Sequence, residues 1–437
     1  MRPGHFRERA FGIRYYRSST PGIGGQLRHT PEDFRVEERP TLSLEPVEAD
    51  TGDYPYLIIE AVLTDWDTHR FVDELANRLY IHPQRIGWAG TKDARAVTTQ
   101  YLSIRGVEAD RLPQIEGATL KAVGRLGRQL EFGDHGGNRF ELRVRGARHI
   151  DHIDAITAEL DGEGGAVTVA NLFGPQRFGI RRPITHRVGE AIIRGSYRDA
   201  VLTYLGNPSP HEPRRTQRAR TFIDEVAIPE DRWEDARDRM PGYLGHELAM
   251  LEVLAQAGSA DEHTCEEAID ALPWSLRRLF LHAVQSYLFN EIVSERLRRS
   301  IPLDRPVRGD IICMIDEHGT IDIDRPQHVD EHRLTVARRH CERGRAVVTA
   351  PLLGSETTLA SGEPGRIEQA VFEHATLEPA SFAREGLEQP GSRRPISIET
   401  TLEVLTDPLT FNFDLPPGAY ATVVMREYLK CDPLSMV

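Results

Sequence analysis

The run Gly87-Trp88-Ala89-Gly90-Thr91-Lys92-Asp93-Ala94-Arg95-Ala96-Val97-Thr98-Thr99-Gln100 places one carboxylate in a glycine-flanked turn between two strand-like segments. Residues 86–89 are short, apolar and aromatic, and residues 97–104 are rich in β-branched and aromatic side chains, so both flanks read as strands. Lys92 and Arg95 bracket Asp93. Cationic neighbours lower a carboxyl pKa and keep it ionised, which is the state a carboxylate nucleophile needs. Aspartate is also common in ordinary surface turns, and on spacing alone a surface hairpin with a solvated charge cluster is the preferred reading.

Further runs decide between these readings. Ala89-Gly90-Thr91-Lys92-Asp93, with Ala96-Val97-Thr98 and Gln100, resembles the signature of the TruD family of pseudouridine synthases, whose motif aspartate is the catalytic one. Thr30-Pro31-Glu32-Asp33-Phe34-Arg35-Val36-Glu37-Glu38 resembles that family's N-terminal motif, Gly137-Asn138-Arg139-Phe140 its asparagine-phenylalanine motif, and Asn171-Leu172-Phe173-Gly174-Pro175-Gln176-Arg177-Phe178-Gly179 its central signature. Weaker echoes follow at Ala283-Val284-Gln285-Ser286-Tyr287-Leu288-Phe289-Asn290 and at Leu415-Pro416-Pro417-Gly418-Ala419-Tyr420-Ala421-Thr422. The motifs stand in family order along nearly the whole chain.

The resemblance implies an isomerase that converts uridine at position 13 of tRNA to pseudouridine, with Asp93 as nucleophile and no cofactor or metal. It implies that Asn138 hydrogen-bonds within the site and that Phe140 stacks on the target base, which has to leave its own stack to be reached. Phe173, Gln176, Arg177 and Phe178 are candidates for positioning RNA, and a domain-junction loop held by phenylalanine packing is an equal alternative for the same run. Arg28 stands three residues before Pro31, where the family usually has a lysine; a guanidinium there would pair with Asp93 at least as firmly. The implied fold is α+β. A catalytic domain of pseudouridine-synthase type, with a mixed, mainly antiparallel sheet, is formed by residues 1–170 and 391–437, and an α/β TRUD domain of archaeal type, 171–390, is inserted between.

Composition sets the limits around that expectation. A chain of 437 residues exceeds one typical core. It has neither an apolar run of membrane-spanning length nor a secretory leader pattern, and a cytoplasmic location is expected. Cys265, Cys313, Cys341 and Cys431 are widely spaced and expected to be free thiols, not a zinc site or a disulfide framework. Gly90-Thr91-Lys92-Asp93 ends in an acid where a phosphate loop needs a hydroxyl. The net charge of −13 argues against nucleic acid as a partner, since each phosphate contact needs a cation. Distribution answers this: residues 139–149, 177–187, 214–220, 277–299 and 333–345 are locally basic and richer in arginine than lysine, which suits bidentate phosphate contacts and stacking on bases. The expected partner is tRNA, with no membrane and no obligatory protein partner. A non-catalytic RNA-binding protein and a small-molecule enzyme are the competing readings; the intact Asp93, Asn138 and Phe140 oppose the first, and the lack of a cofactor motif opposes the second.

The elements that must position these residues are legible from periodicity. Thr30-Pro31-Glu32-Asp33 reads as a one-turn helix start and residues 34–37 as a strand. Residues 55–63 alternate as a strand, and Phe71, Leu75 and Leu79 mark one face of a helix beginning at residue 67 or 68. A turn follows at Pro83. Residues 139–145 alternate strictly, which by itself puts Phe140 in the core. Residues 161–165 read as a linker. Phe280, Val284, Leu288 and Ile292 form the apolar stripe of a helix ending in arginines, with Tyr287 and Phe289 as packing residues.

Overall fold

The computed structural model of the chain describes residues 2–92, 94–160, 166–316, 319–383 and 388–437. Asp93 and the expected linker at 161–165 lie outside the described residues. Two compact units form, one from residues 18–169, 398–431 and 435–437, the other from residues 1–17, 170–397 and 432–434.

The first unit is built on a sheet of eight strands. Its order is Glu403–Thr406, Leu409–Leu415, His135–Arg143, Phe34–Pro40, Val97–Arg105, Tyr56–Thr64 and Ala118–Leu126, with Ile86–Trp88 paired to Val97–Arg105. Every pairing is antiparallel except that of Phe34–Pro40 with Val97–Arg105. The sheet is therefore mixed and mainly antiparallel, as the resemblance implies. Alternation does the local work: Phe34, Val36 and Glu38 turn inward while Arg35 and Glu37 face out. A 3-10 turn, Pro31–Asp33, leads into this strand through a Thr30–Asp33 capping box.

The helix Thr68–Leu79 starts at Asp67, whose side chain accepts from the Arg70 N–H, and ends where Tyr80 turns left-handed at φ 57°. It buries Phe71, Val72, Leu75, Ala76 and Leu79 against Leu57, Ile59, Ala61 and Leu63 of the strand Tyr56–Thr64. The helix Ala421–Leu429 packs Val424, Met425 and Tyr428 against Phe411, Phe413 and Leu142.

In the second unit a 25-residue helix, Trp274–Arg298, is the longest element. Its expected stripe of Phe280, Val284, Leu288 and Ile292 is buried. The helix Thr185–Arg194 crosses it at Gly189, where a Cβ would stand only 2.1 Å from the Phe280 carbonyl oxygen. A four-stranded antiparallel sheet, in the order Gln327–His328, Ile311–Met314, Ala346–Leu352 and Ser392–Pro395, completes the unit. Residues 1–17 group with this unit and add a short helix, Phe6–Arg9, and a two-stranded pairing. All four cysteines are unpaired. No helix among the described residues is long and apolar enough to cross a membrane.

Candidate active site

The register of the eight-stranded sheet brings the separate sequence motifs side by side. Val36 is the partner of Thr98 on one side and of Phe140 on the other. Glu38 is the partner of Asn138, and Asn138 and Phe140 are the partners of Leu415 and Phe413. Directly paired residues share a face, as do residues two apart along a strand. Val36, Glu38, Thr98, Gln100, Asn138, Phe140, Phe413 and Leu415 therefore project from a single face. Four runs separated by up to several hundred residues of chain meet there.

The loop of residues 89–96 enters from the fork in this sheet. One edge of Val97–Arg105 is shared: residues 97–99 pair with Arg35–Glu37, and residues 102–104 with Ile86–Trp88. The loop cannot close as a tight hairpin and is fastened by side chains. Lys92 donates its backbone N–H to Thr68 Oγ1 at 2.8 Å, and Thr68 in turn bonds Gln100 Oε1 at 3.2 Å. Lys92 Nζ meets Glu38 Oε2 at 2.8 Å, with the two side chains only 7% and 1% exposed. A buried pair of this geometry fixes register more than it adds net stability. His135 approaches the same place: a Cβ on Gly90 would lie 3.3 Å from His135 Nε2 and 3.4 Å from Lys92 Nζ. Position 93 is thus preceded by a residue held at both its backbone and its side chain. On its other side, Arg95 reaches the carbonyl oxygen of Arg28 at 3.5 Å.

Arg28 is buried, adopts a left-handed φ of 55°, and lays its guanidinium 3.7 Å above the Phe34 ring. A non-glycine residue in this region is strained and persists only where its surroundings demand it. The expected pairing of Arg28 with Asp93 falls outside the described residues. Asp33, fully buried in the adjacent turn, accepts two hydrogen bonds from Arg145, at 2.7 and 3.0 Å. Burial pushes its carboxyl up, but the Arg145 and Thr30 hydrogen bonds outweigh this and hold it below the usual aspartate range. Nearby Tyr101 donates to Glu60, and burial together with that carboxylate pushes its phenol up to about 12.

Phe140 is 7% exposed and packs in a cluster, stacked on Phe413 at 5.5 Å and edge-on to Phe34 at 6.3 Å. The core position that alternation predicts is what the described side chain occupies. Asn138 is half-buried, and its Oδ1 is buried without a partner among the described residues, as are Thr98 Oγ1 and Gln100 Nε2. Orphaned buried polar atoms are uncommon, and three on the two strands that flank Phe34–Pro40, all on one face, mark a place where an incoming group could be bonded. Gly137 explains its own place in the motif: at φ 126° its missing Cβ would lie 2.3 Å from the Leu415 carbonyl oxygen, so no other residue allows the strands to pair beside Asn138.

The remaining named residues, Gln176 and Arg177, lie in the other unit, in the 3-10 turn Pro175–Arg177. Arg177 lies 5.6 Å from the centre of the Phe173 ring. Phe173 is held by Asn290, which accepts from its N–H at 2.8 Å and donates to its carbonyl at 3.1 Å. The central signature is thereby tied to the weaker echo that ends at Asn290. Glu38 and Gln100 sit inside quoted motifs, but the anchoring parts of Glu38, Thr68, Gln100 and His135 were not read from sequence. No spacing rule links residues 38, 68 and 135; their partnership is a product of the sheet register.

The basic stretches divide once partners are visible. Arg220 is buried between Glu212 and Glu247, Arg182 lies beside Glu212, Arg296 pairs with Asp310, and Arg299 with Glu295 and Glu363. These arginines hold the fold.

Comparison with known proteins identifies the family. The family model described as tRNA pseudouridine synthase D (TruD) matches residues 10–428. A Halobacterium salinarum protein named "Probable tRNA pseudouridine synthase D" is 45% identical, covering 100% of both chains. One of the same name from Natronomonas pharaonis is 47% identical over 99% of each. A Methanosarcina mazei crystal structure, designated TruD, superposes with a TM-score of 0.81 at 35% identity, covering 98% of each chain. The fold is thus that of a pseudouridine synthase, a class of isomerases. The chain belongs to the TruD family, and the relatives named above are archaeal.

Proposed function

We propose that this protein isomerises uridine at position 13 of tRNA to pseudouridine, with Asp93 as the nucleophile and no external cofactor. The supporting observation is the convergence of four of the motifs on one sheet face, beside a loop whose residue 92 is fastened by Thr68 and Glu38. A nucleophile must be held within a fraction of an ångström of its target, and an anchored neighbour supplies that restraint. Arg28 and Arg95 contribute positive charge that keeps a carboxylate ionised. In the reaction the C1′–N1 bond breaks, the uracil turns, and a C1′–C5 bond forms; C5 loses a proton and N1 gains one. Substrate and product contain the same atoms at the same oxidation level, so no redox partner is consumed. Asn138 Oδ1 accepts a hydrogen bond from the displaced base, and the Phe140 cluster forms the apolar wall that holds it. Both site residues and substrate position are tested by mapping pseudouridine in unmodified tRNA transcripts. Wild type should introduce it at position 13, and Asp93→Asn should bind tRNA without turnover. Substantial activity in Asp93→Asn would remove the nucleophile assignment, and pseudouridine elsewhere would move the substrate position.

A further inference from the structure

The arginines with acid partners leave a contrasting pair in the unit formed by residues 170–397. Arg177 and Arg278 meet no carboxylate among the described residues, and the Nε of each is buried without a hydrogen-bond partner there. Their positive charges act on a common neighbour. His282 has its protonation disfavoured first by burial and then by Arg278 and Arg177, and its Nε2 lies 3.2 Å from Gln389 Oε1. Trp274, Arg278 and His282 are four residues apart on the helix Trp274–Arg298 and so lie along one stripe of it. Trp274 opens that helix and is 55% exposed, with the Arg278 guanidinium 4.5 Å from its ring centre. The first turn carries no acid and no side-chain cap, so the partial positive charge of a 25-residue helix end adds to the same field.

In a chain of net charge −13, an uncompensated pair of guanidiniums is costly unless something anionic completes it. A wet indole face beside them adds a platform on which a base can lie. Phosphate and base together are the chemistry of an RNA strand. We infer that Trp274, Arg278 and His282 form a subsite for a single-stranded segment of the RNA substrate, with a base on Trp274 and a phosphate at Arg278. This rests on the proposed action on tRNA and adds a contact that none of the sequence motifs names, Trp274 and Arg278 lying outside all of them. The subsite binds substrate and does no chemistry, so its loss should appear in KM and not in kcat.

The experiment compares wild type, Trp274→Ala, Arg278→Glu and, as a control of equal charge change at an exposed surface pair, Arg308→Glu. Each is assayed for tRNA affinity across a salt series, for kcat and KM, and for its melting curve. Arg278→Glu should weaken tRNA binding at least about tenfold at moderate salt and lower the slope of log K against log salt by about one. Trp274→Ala should raise KM roughly fivefold or more, the range expected for loss of one stacked base. Both should keep kcat within about twofold and melt with the wild type, and Arg308→Glu should match wild type throughout. Wild-type protein that neither binds nor modifies tRNA would overturn the functional reading, and this one with it. Wild type that binds and modifies tRNA, with both variants indistinguishable from it, would overturn the subsite alone. Competition by UMP at micromolar concentration would assign the site to free nucleotide instead.

Discussion

The buried pair beside position 93 offers the sharpest test of the proposed site. Lys92 Nζ and Glu38 Oε2 are 2.8 Å apart, and the side chains are 7% and 1% exposed. At that separation the attraction is about 6 kcal/mol with an effective dielectric constant near 20. Desolvation of both ions takes back much of it, so the pair as a whole contributes little net stability. Removing one partner is different, because the other charge stays behind in a dry site; the expected cost is about 3–5 kcal/mol. Glu38→Gln and Lys92→Met should each lower stability by that amount in urea unfolding. The double substitution should cost less than either alone, so the coupling in a double-mutant cycle should exceed the cost of a single variant, about 3 kcal/mol or more. Activity should behave otherwise: the double variant regains stability but not turnover, since no ion pair then ties residue 92 to the strand Phe34–Pro40. Single variants within 0.5 kcal/mol of wild type, or additive effects, would mean that the pair is solvated and does not anchor the loop.

Two further outcomes follow from the same unit. Phe140→Leu keeps most of the apolar bulk in the cluster with Phe34 and Phe413, so it should cost about 1–1.5 kcal/mol; kcat falling tenfold or more would assign the ring to the base, whereas a lowered melting temperature with full kcat would leave it a core residue only. Glu159 accepts the backbone N–H groups and hydroxyls of Ser19 and Thr20; burial pushes its carboxyl up, but these donors outweigh it and hold it at about 2. A carboxyl whose folded pKa is depressed stabilises the fold above its unfolded value of roughly 4.3 and loses that contribution as pH falls toward 2. Glu159→Gln should therefore be less stable than wild type near neutrality and converge with it below about pH 2, and a constant gap across acid titration would refute the assignment.

Much of this protein was legible in its sequence, for reasons that are local. The 3-10 turn at Pro31, the strand that follows, the helix Thr68–Leu79 and the helix Trp274–Arg298 each announce themselves by capping residues or by the spacing of their apolar side chains. Alternation put Phe140 inward, and the described side chain is indeed buried. The motifs named the chemistry by resemblance, and family membership across residues 10–428 agrees. Tertiary structure alone decided what no spacing carries. That Lys92 is held by Glu38 and Thr68, that Asn138 stands opposite Glu38, and that Arg145 closes on Asp33 are consequences of strand order and register. The same holds for charge. Sequence shows basic stretches, but whether an arginine serves the fold or a ligand depends on whether a distant acid folds against it. Arg220 finds Glu212 and Glu247, whereas Arg177 and Arg278 find none among the described residues. Periodicity is written along the chain; pairing is made across it, and burial sets what each pair is worth.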